Sequence, residues 1–178
     1  TPLGPGREFD RIRRMAERWK FLAKGLGDDC AFLEVGGTTL AISLDLSVED
    51  VHFRRAWLSP REIGFRAAAG ALSDLAAVAA EPAALLLAIG APEQEPEATL
   101  HAIADGVGEA VRHAGAVIVG GDLARSPVLV VDCCVVGRCE RPVRRSGARP
   151  GDVLVVTGAL GGPGGRLNFF GGGAPASL

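Results

Sequence analysis

The sequence contains no tyrosine, and aromatic residues make up only 5% of its 178 residues. The hydrophobic fraction is nevertheless 48%, supplied mainly by alanine, valine and leucine. That fraction is ample for a core, so we expect one domain built on small aliphatic side chains, with an appendage at most.

Long apolar runs and a surplus of charge of one sign are also missing. No stretch of about 18 uninterrupted apolar residues occurs, which argues against a membrane span. The first residues are polar and lack the hydrophobic stretch of a signal peptide, so we expect a cytoplasmic protein. The formal net charge is −2 and the pI is about 5.9, which leaves no electrostatic footprint for nucleic acid. The arginines between Arg138 and Arg149 are typical of a solvated loop. We therefore expect neither nucleic acid nor a membrane as a partner.

Cysteine is sparse, and the familiar phosphate-binding loops are absent. The four cysteines form no C-x-x-C pair and have no zinc spacing: Cys30, Cys133, Cys134 and Cys139. They are expected to be small buried side chains in a reducing compartment. The sequence holds neither GxxxxGK[ST] nor G-x-G-x-x-G, so neither a P-loop nor a dinucleotide-binding loop is indicated.

Hydrophobic periodicity and turn residues predict an α+β domain. Helices are predicted at Glu8–Ala23, from Ser59-Pro60 to about Ala80, and at Glu97–Ala114. Strands are predicted at Cys30–Val35, Thr38–Leu44, Ala84–Gly90, Ala116–Val119, Val128–Gly137 and Val153–Thr157. From the first strand onward the order is β-β-α-β-α-β-β-β, which favours a mixed sheet with two main helices packed on one face.

The ends of the chain have a different character. Residues 1–6 are expected to be a tail and residues 7–158 to form the domain. Residues 159–178 are rich in glycine and show no period, so a second tail is expected there.

Carboxylates and one histidine stand at predicted strand ends or alone on an apolar helix: Asp29, Asp45, Asp74, Asp122 and His52. Mg²⁺ prefers oxygen ligands, with phosphate and water completing its octahedron. The Gly120-Gly121-Asp122 turn would also let a backbone approach a phosphate without a Cβ in the way. Most of these residues, taken alone, also fit a turn, a cap or a surface position, but Asp74 is harder to explain in that way because an uncompensated charge on a small-residue helix is costly. Asp132 inside a strand is expected to be structural, paired or exposed. Together they favour a magnesium-phosphate site.

Six motifs in order along residues 7 to about 160 resemble the thiamine-monophosphate kinase family. They are R-E-F at 7–9, G-L-G-D-D-C-A at 25–31, V-E-D-V-H-F at 48–53, L-S-D-L-A-A at 72–77, G-G-D at 120–122 and R-S-G-A-R-P-G-D at 145–152. Aminoimidazole-ribonucleotide synthetase, selenophosphate synthetase and a hydrogenase maturation factor share the general plan. The resemblance implies the N-terminal domain of that fold.

The resemblance further implies ATP-dependent phosphorylation of thiamine monophosphate to thiamine diphosphate. Magnesium ions would be held by Asp29, Ser43, Asp45, Asp74 and Asp122. His52 would contact the thiamine phosphate, and Gly121, Asp122 and Arg145 would contact ATP. The acceptor is already an ionised phosphate, so no catalytic base is expected. A homodimer is implied as well.

The sequence also departs from the family pattern. Leu44 stands where a threonine is usual beside the metal-binding aspartate, and Asp50 replaces a glycine. Residues 161–178 do not resemble the family's continuation into a second domain, so we expect an N-terminal domain with little or no activity by itself. The alternatives are a non-catalytic dimerisation module of the same fold, or a related ATP-dependent enzyme with another acceptor.

Overall fold

The structure is a computed structural model that describes residues 6–19, 21–23, 25–156 and 158–162. Its elements in chain order are α1 Arg7–Arg18, β1 Ala31–Val35, β2 Thr38–Val48, α2 Pro60–Ala77, β3 Glu81–Ala91, α3 Glu97–His113, β4 Val117–Arg125 and β5 Val130–Arg138. The strands form one sheet in the order β1-β2-β5-β3-β4. Only β3 and β4, joined through α3, run parallel within it, whereas the other neighbours are antiparallel. The predicted mixed α+β sheet is confirmed.

Helix α2 begins at a capping box formed by Ser59 and Glu62. The Ser59 side chain accepts a hydrogen bond from the Glu62 N–H (3.3 Å), and the Glu62 carboxylate accepts one from the Ser59 N–H (2.8 Å). Pro60 occupies the first helical position. Such a capping box satisfies two backbone donors that the helix itself cannot, and an N-cap of this kind contributes about 1 kcal/mol.

The helix-facing side of the sheet carries the core. Alternate residues of β5 on this side, Val131, Cys133 and Val135, are fully buried, as is Ala41 on β2. The small residues of α2 let its backbone lie close to these strands, since Ala67, Ala68 and Ala71 are buried as well. We call this the helix face of the sheet.

The opposite side, here called the open face, has no helix on it in the described part of the chain. One row across it joins Leu46, Asp132, Ala88 and Asp122 on four neighbouring strands. Leu44 lies two residues away on the same face and is 67% exposed. The open face therefore leaves large apolar side chains in solvent, Leu44 and Leu46 among them.

Several predicted boundaries were wrong in ways that matter for the site. Strand β2 continues to Val48, so Asp45 lies inside the strand and not after it. Strand β4 runs through Gly120-Gly121-Asp122 to Arg125, so that triplet is not a turn after a strand. The predicted last strand is absent, because residues 153–156 form no strand and Thr157 lies outside the described residues.

The chain divides into two compact units, Thr1–Ser146 and Gly147–Leu178. In the second unit the Asp152 carboxylate accepts a hydrogen bond from the Arg149 N–H (2.7 Å), which closes a local turn. The predicted tails fall largely outside the described residues. Within the described ranges, no helix is long and apolar enough to cross a bilayer.

Among the described residues, two other than glycine adopt the left-handed backbone conformation, Asp50 (φ 62°) and Ala79 (φ 58°). Ala79 follows α2, where the Ala80 N–H donates to the Leu75 carbonyl at 2.8 Å and completes a Schellman-type end. Asp50 lies in the loop after β2. A left-handed residue with a Cβ carries conformational strain, so both positions are locally unfavourable for the side chains they hold.

Helices α2 and α3 touch backbone to backbone at Gly64 and Gly106. A Cβ placed on Gly106 would lie 1.9 Å from the Arg61 carbonyl oxygen. We expect Gly106→Ala to force the helices apart and to lower the free energy of unfolding by about 1–3 kcal/mol. Gly108→Ala on the same helix is the control, because its Cβ would meet nothing within 4 Å and should stabilise the helix by about 1 kcal/mol. Urea denaturation measures both variants, and equal midpoints would contradict the close contact.

Replacing Asp50 by glycine should remove its left-handed strain. We expect Asp50→Gly to raise the free energy of unfolding by about 1 kcal/mol. Asp50→Asn keeps the shape and removes the charge, so it should change stability little. If the asparagine variant gained as much as the glycine variant in thermal denaturation, charge and not backbone conformation would be the cause.

Candidate functional site

Strand β2 and helix α2 bring three of the predicted ligands together on the helix face. Ser43 and Asp45 alternate along β2 and so project to the same side, while Asp74 descends from α2. The Ser43 hydroxyl donates a 2.6 Å hydrogen bond to Asp74 Oδ2. A Cβ on Gly70 would lie 2.9 Å from Asp45 Oδ2, so a glycine on α2 leaves the space that the Asp45 carboxylate occupies.

The turn before β1 and the segment after β5 bring the next pair. The Arg145 guanidinium donates to both carboxylate oxygens of Asp29, through Nε at 3.1 Å and through Nη2. The Arg145 N–H donates to Asp28 Oδ1 at 3.3 Å. Asp28 thus shapes the turn and holds Arg145, and Asp29 carries the ion pair.

The electrostatics join these groups into one cluster. The pKa of Asp74 is raised above its usual value, chiefly by desolvation and further by the negative charges of Asp45 and Asp29. The hydrogen bond from Ser43 and the positive charge of Arg145 act in the opposite direction. A carboxyl pKa that is raised in this way indicates a local surplus of negative charge that is incompletely solvated.

The donor set suits Mg²⁺, because every side chain in it offers a hard oxygen. Four predicted ligands share this side of the molecule: Asp29, Ser43, Asp45 and Asp74. In their present conformations Asp29 is paired with Arg145 and Asp74 with Ser43. Accordingly, no three of the described His, Cys, Asp or Glu side chains converge tightly enough to hold a metal ion as they stand. A cation would have to draw these carboxylates inward.

Asp122 is not brought to this cluster within one chain. The row that contains Asp45 continues through Cys133 and Leu87 to Gly121, which places β4 three strands away. At about 4.8 Å per strand the separation is roughly 14 Å along the sheet. Since neighbouring residues of a strand face opposite ways, Asp122 projects from the open face and Asp45 from the helix face.

The two glycines before Asp122 have different requirements. A Cβ on Gly121 would lie 1.8 Å from the Leu87 carbonyl oxygen, whereas one on Gly120 would meet only Leu86 Cδ2, at 4.0 Å. Close packing between β3 and β4 therefore accounts for glycine at position 121. The predicted contact of Gly121 with ATP is not needed to explain it.

His52 lies in a tight loop that follows β2. Its backbone N–H donates to the Val48 carbonyl (2.8 Å), and its Nδ1 accepts a hydrogen bond from the Val48 N–H (3.0 Å). Phe53 anchors the loop in the core, being only 6% exposed. The ring is thus tethered through Nδ1, and the side chain is exposed.

The sequence offered no prediction for the ion pairs that hold this loop. Arg55 binds Glu49 and Glu95, which is 40 residues distant in sequence. Residues that pair over such separations carry no local periodicity or motif. Only the unusual density of charge in V-E-D-V-H-F-R-R could have drawn attention to the loop.

Asp132 was expected to be paired or exposed, and one of its oxygens is neither. Oδ1 is buried with no hydrogen-bond partner among the described residues. Burial raises the pKa of Asp132 above its usual value, with a further contribution from Asp45. It lies in the same open-face row as Asp122, with Ala88 on the strand between them.

Residues 27–139 match the family described as AIR synthase related protein, N-terminal domain. Among curated relatives, thiamine-monophosphate kinase of Mycobacterium tuberculosis is 37% identical over 161 residues, which cover 89% of this chain and 48% of the relative. The Salmonella typhimurium enzyme is 39% identical over 158 residues, covering 87% of this chain and 47% of the relative. The chain therefore spans about half the length of these relatives.

Solved structures agree with the sequence comparison. The structure described as AaThiL complexed with AMPPCP and TMP superposes with a TM-score of 0.75 at 30% identity, covering 80% of this chain and 45% of that one. Thiamine-monophosphate kinase from Stenotrophomonas maltophilia superposes with a TM-score of 0.71 at 31% identity, covering 96% and 54%. The resemblance noted in the six motifs is confirmed, and the chain belongs to the family of AIR synthase related proteins, whose N-terminal domain it contains.

Proposed function

We propose that this chain is the nucleotide- and magnesium-binding part of a thiamine-monophosphate kinase, which phosphorylates thiamine monophosphate with ATP. The observation that carries the proposal is the meeting of Asp29, Ser43, Asp45 and Asp74 beside Arg145 on one side of the sheet. Four residues that match the family pattern in order along the chain need not lie close together in space. Here they converge on oxygen ligands and one arginine.

The chemistry asks little of the protein beyond positioning and charge compensation. Because the acceptor is an ionised phosphate, no group has to remove a proton from it, and we assign no catalytic base. Arg145 would exchange part of its contact with Asp29 for a nucleotide phosphate, which matches its planar pairs of donors. His52 would present its free ring nitrogen to the phosphate of thiamine monophosphate.

Magnesium is part of the proposal through its donor set. Asp29, Ser43, Asp45 and Asp74 would hold it, and the bound ion would neutralise phosphate charge. The chain's own contribution is the desolvated negative cluster that makes a cation favourable there. We place the protein in the cytoplasm, where ATP is available and where the four free thiols remain reduced.

The chain's fraction of its relatives' length limits what it would do alone. Ligands from a further domain would be needed to complete the coordination of two phosphates. We therefore expect nucleotide binding with slow or undetectable transfer. The apolar residue at position 44 favours a second candidate, a dimerisation module of the same fold that has lost the chemistry, because Leu44 adds a large exposed apolar side chain to the open face.

Nucleotide binding separates these candidates. Titration of ATP with magnesium into the wild-type chain should give a calorimetric isotherm, and Asp74→Asn should weaken it by at least roughly tenfold, since even outer-sphere partners of a metal cost that much. Asp105→Asn, on an exposed position of α3, is the matched control and should bind as the wild type does. Absence of any heat or saturation at millimolar ATP would refute the site assignment and leave the module candidate.

The same variant has a second readout without ligand. A raised pKa means that the folded state binds the Asp74 proton more tightly than the unfolded state does. The native state therefore gains stability as the pH falls through that pKa. At neutral pH the ionised carboxylate opposes folding, and Asp74→Asn should therefore raise the melting temperature in the absence of magnesium. The identity of the acceptor is tested separately. Thiamine diphosphate production from thiamine monophosphate is compared with phosphorylation of aminoimidazole ribonucleotide precursors as alternative acceptors.

We also propose that the chain forms a homodimer through the open face. Leu44 and Leu46 are 67% and 48% exposed there, and Asp122 stands on the same face, out of reach of its own chain's cluster. A second copy laid on this face would cover the apolar residues and bring its Asp122 toward the first copy's β2.

Analytical ultracentrifugation tests the dimer. We expect the wild type to sediment as a dimer and Leu44→Glu to sediment as a monomer, because an unpaired charge at an apolar interface is costly. Ala104→Glu, at an exposed position of α3, should remain dimeric. A monomeric wild type at high micromolar concentration, or a dimeric Leu44→Glu variant, would contradict an open-face interface.

A further inference from the structure

One arginine ties together the loops on either side of the His52 turn. Arg55 Nε donates to Glu49 Oε1 (2.6 Å), and its Nη1 and Nη2 donate to the two carboxylate oxygens of Glu95 (2.7 Å each). Nη2 also reaches Glu49 Oε2 at 3.1 Å. The guanidinium is thus held by two carboxylates at once. The side chains of Glu95 and Glu49 are only 5% and 18% exposed, whereas that of Arg55 is 37% exposed, so the two carboxylates are the sheltered partners.

Glu49 also connects the loop to the sheet through hydrogen bonds with Leu129. Its N–H donates to the Leu129 carbonyl (2.9 Å), and its Oε2 accepts from the Leu129 N–H (3.0 Å). The residue is therefore fixed by its backbone and its side chain to the segment that leads into β5. Three separate parts of the chain meet at Arg55: the loop after β2, the loop before α3 and the start of β5.

The turn that carries His52 begins one residue before Glu49. Strand β1 pairs with β2 only as far as Ile42, so the Val48 N–H has no strand partner on that side, and His52 Nδ1 accepts its hydrogen bond instead. A neutral imidazole that accepts at Nδ1 carries its proton on Nε2. The exposed ring therefore offers a donor to an anion, provided that Val48 and His52 keep this geometry.

We propose that Arg55 is a positioning residue which, through Glu49 and Glu95, holds the β2–α2 loop so that His52 presents its Nε2–H as a donor to the acceptor phosphate. The inference rests on the proposed function for the identity of that phosphate. The hydrogen bonds by which Arg55 holds the loop are independent of that identity. Arg55 does not touch the ligand, and its effect passes through the backbone of residues 48–53.

The alternative is a clamp that contributes only to global stability. The two differ in where the effect of removing Arg55 is felt. A clamp for stability lowers protection from hydrogen exchange throughout the sheet, whereas a positioning residue loosens the Val48 amide selectively. Cys133, in the middle of β5 and fully buried, reports the global effect.

The test compares wild type, Arg55→Gln and Arg125→Gln by NMR. Arg125 forms an exposed ion pair with Glu93 and is the matched control for loss of an Arg–Glu pair. We expect the Val48 amide of Arg55→Gln to exchange about tenfold faster relative to Cys133, and the ¹⁵N shifts of the His52 ring to move. His52→Gln assigns that ring among the three histidines, and Arg125→Gln should leave both signals unchanged.

Unchanged Val48 exchange and His52 ring shifts in folded Arg55→Gln would overturn the proposal, as would a uniform loss of protection that includes Cys133. If Arg55→Gln does not fold, Glu95→Gln undergoes the same measurement, since it keeps the shape of the side chain and leaves Arg55 bound to Glu49. The same two outcomes then decide.

Addition of thiamine monophosphate with magnesium and ATP separates the positioning role of Arg55 from the substrate role of His52. A shift of His52 Nε2 in the wild type that is diminished in Arg55→Gln supports both roles. No shift in the wild type removes the substrate role of His52, while the exchange data still decide whether Arg55 positions the loop.

Discussion

The close packing of α2 on the sheet is the constraint on which the site depends. Ala67, Ala68 and Ala71 of α2 are buried, and α3 packs against α2 at Gly64 and Gly106. Larger residues would lift α2 by some ångströms. Asp74 would then lose the hydrogen bond from Ser43, and its carboxylate would be hydrated. The small-residue helix is thus what places and desolvates the carboxylate.

Desolvation explains why the cluster is useful for cation binding. Carboxylates exposed to water are well solvated, and their attraction for a cation is screened. Such a set therefore contributes little binding free energy. Here the raised pKa of Asp74 shows that water compensates its charge incompletely. The folded chain bears this unfavourable charge, and a bound cation would relieve it. Marginal local stability and affinity for a divalent ion therefore have the same physical origin.

The sequence predicted the elements of this arrangement better than their ends. The start of α2 at Ser59-Pro60 and the isolation of Asp74 on an apolar helix were both visible, because each depends on residues within a few positions. The placement of Asp45 at a strand end was wrong, since nothing local marks the point where β2 leaves its partner β5. Arg55 could not be foreseen, because its two carboxylates come together only when β2 and β3 are built into one sheet. The unsatisfied oxygen of Asp132 is likewise a property of the assembled sheet.

The alternation of a β-strand divides the predicted ligands between two faces, and this division bears on how the site is completed. Ser43 and Asp45 face α2, whereas Leu44 faces the other way, as does Asp122 on β4. The usual threonine at position 44 would therefore have placed its oxygen on the open face and not beside Asp74. Replacing it by leucine leaves the helix-face cluster intact and makes the open face more apolar. From the sequence, Leu44 seemed to weaken the metal site. In the folded chain it changes the open face instead, which is the surface on which we propose that a second copy packs.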